Sequence, residues 1–163
     1  MTHIPRFRSA AVILAASILA VAVAPRPAQA QGAKPLQVQE TNVDGVTVEL
    51  VEAVRKEGVL TVKMRYRNGG AQPVKVELLG DHRDADKYFV VAGSTKFLVL
   101  RDGQKVPLMT TLNNHGGLTA NMKPAGGFLV WAKYPAPPAE AKKFNFHTAH
   151  TPPFEDVPIT EAK

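Results

Sequence analysis

The segment from Leu60 to Arg67 constrains the fold more than any other. Leu60, Val62, Met64 and Tyr66 alternate without a break with Thr61, Lys63, Arg65 and Arg67. Side chains on a strand point to opposite faces in turn, so this run demands a strand with one apolar face and one wet, basic face. A strand with one apolar face needs a second layer to cover it. The same alternation recurs at Val46, Val48 and Leu50, and at Val74, Val76 and Leu78. Between these runs lie the turn signals Lys56-Glu57-Gly58 and Asn68-Gly69-Gly70.

Further strands are expected at Lys87–Val91, Lys96–Leu100, Lys105–Thr110, Leu118–Met122 and Lys142–Thr148. In the segment Phe128–Tyr134 both alternating sets are large, which predicts a strand buried on both faces or at the centre of a sheet, with Trp131, the sole tryptophan, substantially buried. No helical period competes. Short, evenly spaced strands joined by Gly- and Pro-rich turns predict an all-β fold, a sandwich of about seven to nine strands. The proline-punctuated tail, Thr151 to Ile159, can pair only as an edge. Its Phe154, Val157 and Ile159 predict that it is nonetheless part of the fold.

The first 30 residues have a different character. Arg6 and Arg8 precede an uncharged apolar run from Ala10 to Ala24, prolines follow, and Ala28-Gln29-Ala30 supplies small residues at a cleavage site. These are the parts of a helical secretory signal peptide. The run is shorter than the roughly 20 residues that span a bilayer, so no membrane anchor is expected after cleavage. The organisation expected is a signal peptide over 1–30, a flexible lead-in over 31–43 and a β-sandwich domain over 44–163. Loss of the signal removes three arginines and lowers the formal charge from +6 to +3. The basicity of the precursor is therefore no argument for nucleic-acid binding. The expected location is the periplasm or the medium.

The chain has no cysteine, which excludes disulfides, thiol chemistry and Cys-ligated metal. Ser94, in Gly93-Ser94-Thr95, is the only serine after residue 30. It lies between two strands, with no helix to build a nucleophile elbow, so it reads as a turn residue. The glycine pairs are followed by no helix N-terminus and read as turns rather than phosphate cradles. Asp81, Asp84 and Asp86 share one loop with Arg83 and Lys87 between and beside them, which reads as a solvated loop rather than a calcium site. No enzymatic activity and no cofactor are expected.

Two candidate sites remain. His147 and His150 are the first metal candidates, with His82, His115 or an Asp as a third ligand. Residues three apart on a strand face opposite ways, so His147 and His150 chelate only if the chain turns between them. The second is a basic stripe of Lys63, Arg65 and Arg67, joined by Lys75 if the following strand pairs as a hairpin. Such a stripe would dock an anionic envelope surface.

Several runs carry a resemblance: Asp86–Val90 (DKYFV), Leu100–Gly103 (LRDG), Trp131–Pro138 (WAKYPAPP) and Pro152–Ile159 (PPFEDVPI). Together they resemble the immunoglobulin-like (telokin-like) β-sandwich domains of exported bacterial proteins of unknown function. Similar domains sit in front of peptidoglycan-binding domains of the outer-membrane-protein-A type; no such half follows here. The resemblance implies a sandwich fold and an envelope location, and it brings no catalytic residues. The expected function is a binding or interaction module acting on an envelope protein or polysaccharide. The alternative is a metal-binding protein using its histidines.

Overall fold

A computed structural model describes residues 34–162, which form an all-β sandwich; the expected signal peptide lies outside the described residues. The first sheet runs β1 (Gln37–Glu40), β2 (Val46–Lys56), β3 (Val59–Asn68) and β8 (Gly127–Pro135), all antiparallel, and the short β11 (Thr160–Glu161) joins β2 in parallel. The second sheet runs β10 (Phe154–Pro158), β9 (Lys143–His147), β5 (Phe89–Ala92) and β6 (Thr95–Leu98). A separate ribbon pairs β4 (Val74–Leu79) with β7 (Leu118–Met122). The eleven strands exceed the seven to nine expected because the very short β1 and β11 leave little alternation to read.

β3 has the predicted pattern, and Leu60, Val62, Met64 and Tyr66 are fully buried. Val46, Val48 and Leu50 of β2 and Val130, Ala132 and Tyr134 of β8 extend this inner face. The second sheet presents Val90, Phe144, Phe146, Phe154 and Val157 to it. Tyr134 meets Phe146 edge to face across the gap, with ring centroids 6.1 Å apart. That contact joins the two sheets through one core.

Four expectations need correction. The strand expected at Lys105–Thr110 is not formed: that segment makes only isolated bridges, Pro107 to Arg101 and Met109 to Ala132. The lead-in expected over 31–43 contains β1, whose residues pair with Thr47–Leu50 of β2. Strand β8 is buried on one face only: Val130, Ala132 and Tyr134 point inward, while Leu129 and Lys133 are exposed and Trp131 is half-buried. Trp131 stands opposite Lys63 and Leu129 opposite Arg65. The aliphatic stems of those neighbours make the outer face more hospitable to apolar side chains than its charges imply. Finally, β4 does not form a hairpin with β3. Both edges of β3 are already taken, by β2 and β8. The buried Asn68 side chain ends the strand, donating to the carbonyls of Gln72, Met122 and Lys123 and accepting from the Gly70 N–H. The chain leaves the sheet there, and β4 finds β7 instead.

The tail is ordered and belongs to both sheets. Phe154 and Val157 of β10 are fully buried against β9, and β11 then crosses to β2.

Candidate functional site

Three loops meet at one place on the surface. The first is the start of a 3-10 helix, His82–Lys87, in the polar segment expected to be a loop. Asp81 caps it, its carboxylate accepting the Arg83 backbone N–H at 2.7 Å. The second is the tight turn at Arg101–Pro107. There the Asp102 carboxylate accepts the backbone N–H groups of Gln104 and Val106, each at 2.9 Å. The third is the Asn113–Gly117 turn, held by Asn113 Oδ1 accepting from the N–H groups of His115 and Gly117, each at 2.9 Å.

Two contacts fix the loops relative to one another. The Arg101 guanidinium donates to the Lys105 carbonyl within its own turn and to the Asp86 carboxylate at 2.8 Å on the 3-10 helix. At Gly117 a Cβ would lie 2.9 Å from the Gly80 carbonyl oxygen and 3.1 Å from that of Leu79. Only glycine permits that approach. Gly116, at φ +78°, lies against His82 in the same way: a Cβ there would sit 3.0 Å from the His82 nitrogen. The NNHGG segment is thereby pressed onto the HRDAD segment.

The result is an open cleft of about 690 Å³ that brings His82 and His115 together. Val106, Pro107, Met109 and Leu112 supply its apolar surface, and Lys105 and Asn113 share the rim with the two imidazoles. Behind the cleft, Met109 bridges to Ala132, and Thr110 exchanges hydrogen bonds with Trp131 at 2.9 and 2.8 Å, so this wall is fastened to β8.

The other sequence candidates fall elsewhere. His147 lies on the outer face of the second sheet, stacked on Phe89 with centroids 4.3 Å apart. His150 sits in a shallow depression beside Asn42, its Nδ1 3.4 Å from the Asn42 oxygen and its buried Nε2 without a hydrogen-bond partner. Among the described residues, no group of three or more His, Asp or Glu is placed to hold a metal ion. The expected pairing of His147 and His150 with a third ligand is therefore not formed. The basic stripe is also corrected. Lys63 pairs with Glu52 at 2.9 Å, and Arg65 and Arg67 both pair with Glu49, at 3.3 and 3.2 Å. Acids of β2 answer the cations of β3 across the sheet, and Lys75, opposite Asn121 in the ribbon, is not part of that face.

The three loop aspartates are engaged as well. Asp81 pairs with Arg83, Asp84 with Lys87 and Asp86 with Arg101. The Arg83 guanidinium, then its backbone N–H, holds the Asp81 carboxyl well below the usual carboxylate range. The largest upward shifts belong to core tyrosines: burial pushes Tyr66 up to about 12 and raises Tyr88 and Tyr134 too. These hydroxyls stay protonated at neutral pH and serve packing, with Tyr66 and Tyr88 oxygens 3.3 Å apart.

Comparison with protein-family models, curated proteins and solved structures finds no match in any of the three.

Lys105, Val106 and Arg101 escaped sequence reasoning as site residues. Lys105 and Val106 were expected on a strand, Lys105–Thr110, and no local pattern says which distant loop this segment will face.

Proposed function

We propose that this chain is an exported, non-enzymatic binding module of the cell envelope, related to the immunoglobulin-like sandwich domains it resembles, and that the cleft between His82, Val106 and His115 is its ligand site. The supporting observation is the convergence of three loops, fixed by Arg101 and by the glycine approach at 116–117, around an apolar surface with a polar rim. Binding sites combine those properties, and sandwich domains carry function on their end loops. The cleft has the size for a small molecule or for one group of a larger envelope molecule. Its lining includes no carboxylate, so nothing there supports paired-acid chemistry.

The test is native mass spectrometry of the protein recovered from its own cell envelope, compared with Val106→Asp. Val106 is 44 % exposed at the cleft, so the variant changes the cleft and spares the core. The expected result is a bound molecule on the parent protein that the variant lacks. A molecule held equally by both would move the ligand site elsewhere.

A further inference from the structure

We propose that the cleft takes an anion with an apolar body, a carboxylate or phosphate head on a hydrocarbon chain, with Lys105 as the head-group partner; this rests on the reading of the cleft as the ligand site.

Charge is the first reason. The lining contains Lys105 and two imidazoles, His82 and His115, and no Asp or Glu. The nearby acids are answered by other cations: Asp81 by Arg83 at 2.6 Å, Asp84 by Lys87 at 2.8 Å and Asp86 by Arg101 at 2.8 Å. Asp102 is turned to the backbone of its own loop. Among the described residues Lys105 has no carboxylate partner within ion-pair distance. An anion entering the cleft meets donors and no like charge.

Shape is the second. Val106, Pro107, Met109 and Leu112 line the same cleft, with Pro107 and Met109 buried, so a head group at Lys105 leaves its chain against apolar surface. A wholly polar anion would leave this surface wet, and a neutral hydrocarbon would leave the ammonium unanswered.

The backbone is the third. Lys105 sits at φ +64°, in the left-handed region that favours glycine. Glu57 and Ala125 do the same in other turns and Asp156 in the bulge of β10, so the conformation alone says nothing. Its value is practical: Lys105→Gly removes the ammonium while easing the backbone, so binding and folding can be told apart.

The experiment is calorimetric titration of the purified protein with decanoate and with decyl phosphate, each below its micelle-forming concentration. Decanol and decyltrimethylammonium serve as controls. Saturable binding of at least one anion is expected, with both controls weaker, and the two anions distinguish a carboxylate from a phosphate source. Lys105→Gly should keep or raise the melting temperature and weaken anion binding by about fivefold, without changing decanol. Val106→Asp should abolish anion binding. The inference is overturned if the decyl cation binds as tightly as the anions, or if Lys105→Gly leaves anion affinity unchanged. It also fails if no decyl anion binds while a molecule recovered from the envelope still depends on Val106; that outcome would keep the cleft as the ligand site and reject only the anionic amphiphile.

Discussion

Arg55 and Glu161 form an ion pair between β2 and β11, with the Arg55 Nε 3.0 and 3.1 Å from the two carboxylate oxygens. The pair is unequal. Arg55 is buried, whereas the Glu161 side chain is 57 % exposed. The rest of the guanidinium donates to the carbonyls of Pro137, Pro138, Ala139 and Ala141, at 2.7 to 3.2 Å. The proline-rich connector after β8 thus turns four carbonyls toward one cation, and those of Pro138 and Ala139 also accept from the Ala141 N–H and from Lys142 Nζ. Arg55→Ala should cost about 1–3 kcal/mol, because the buried Pro137 carbonyl loses its donor and the packed stem of the side chain is removed. Glu161→Gln should cost clearly less. Urea denaturation of the two variants checks the order; equal losses would give the ion pair, not the carbonyl capture, the main role.

The C-terminal strands should be as indispensable as any central one. Phe154 is fully buried, its ring centroid 6.1 Å from that of Phe146. Phe154→Ala should cost about 3–5 kcal/mol, while the exposed neighbour Glu155→Ala stays within about 0.5 kcal/mol. Deleting residues 152–163 removes β10 and β11 together and should abolish cooperative thermal unfolding by circular dichroism. An unchanged melting temperature would instead make the tail a displayed proline-rich motif.

The legible parts of this fold are those in which one strand face is wet. Leu60–Arg67 could be read residue by residue because each charged side chain marks the solvent side. Arg55 could not. A bulge between Leu50 and Glu52 shifts the register of β2, so the inward positions pass from Val46, Val48 and Leu50 to Ala53 and Arg55. One inserted residue reverses which side chains are buried. A bulge leaves no mark in the hydrophobic pattern beyond an apparent irregularity. The cleft was illegible for a different reason. His82 and His115 were visible in loops and Lys105 at the start of an expected strand, but their meeting depends on the close backbone approach at Gly117, which only the folded chain shows.

Trp131 reports on the outer face, not on the core. Being half-buried on the wet side of β8, it should emit between the values of buried and free tryptophan and be quenched by acrylamide in the native protein. Trp131→Ala should cost about 1 kcal/mol. A blue-shifted, unquenchable emission would place the indole inside.

Stability should fall on mild acidification, partly through His147. Partial burial, then the positive charge of Lys96, lowers its pKa from the ordinary 6.5. Lys96 Nζ lies 3.7 Å from the centre of the Phe89 ring on which His147 stacks. The folded state disfavours the imidazolium, so below about pH 6.5 the unfolded chain binds more protons than the folded one. The contribution is therefore complete above pH 6.5 and is lost as pH falls through the folded-state pKa. Melting temperature against pH should slope less in His147→Gln across this window. Identical slopes would remove His147 from the acid response.

Gly117→Ala tests whether the cleft depends on the loop approach. The new methyl would meet the Gly80 oxygen at 2.9 Å, and the Leu79 oxygen and the Asn113 side-chain nitrogen each at 3.1 Å. Two of these are backbone atoms, so they cannot swing aside as a flexible side chain would. The 113–117 turn must lift away from Gly80–His82, at a cost of about 1–3 kcal/mol. That movement separates His115 from His82 and opens the cleft. Gly58→Ala is the control: it sits at φ +77° with nothing within 4 Å, so it strains the backbone by about 1 kcal/mol without touching the site. Two-dimensional amide spectra should show Gly117→Ala shifts spreading across residues 80–82 and 113–117, and Gly58→Ala shifts confined to the β2–β3 turn. If Gly117→Ala left the signals of Gly80 and His82 in place, the two loops would be held together by something other than this contact, and Arg101, which ties the Arg101–Pro107 turn to Asp86, would be the next residue to replace.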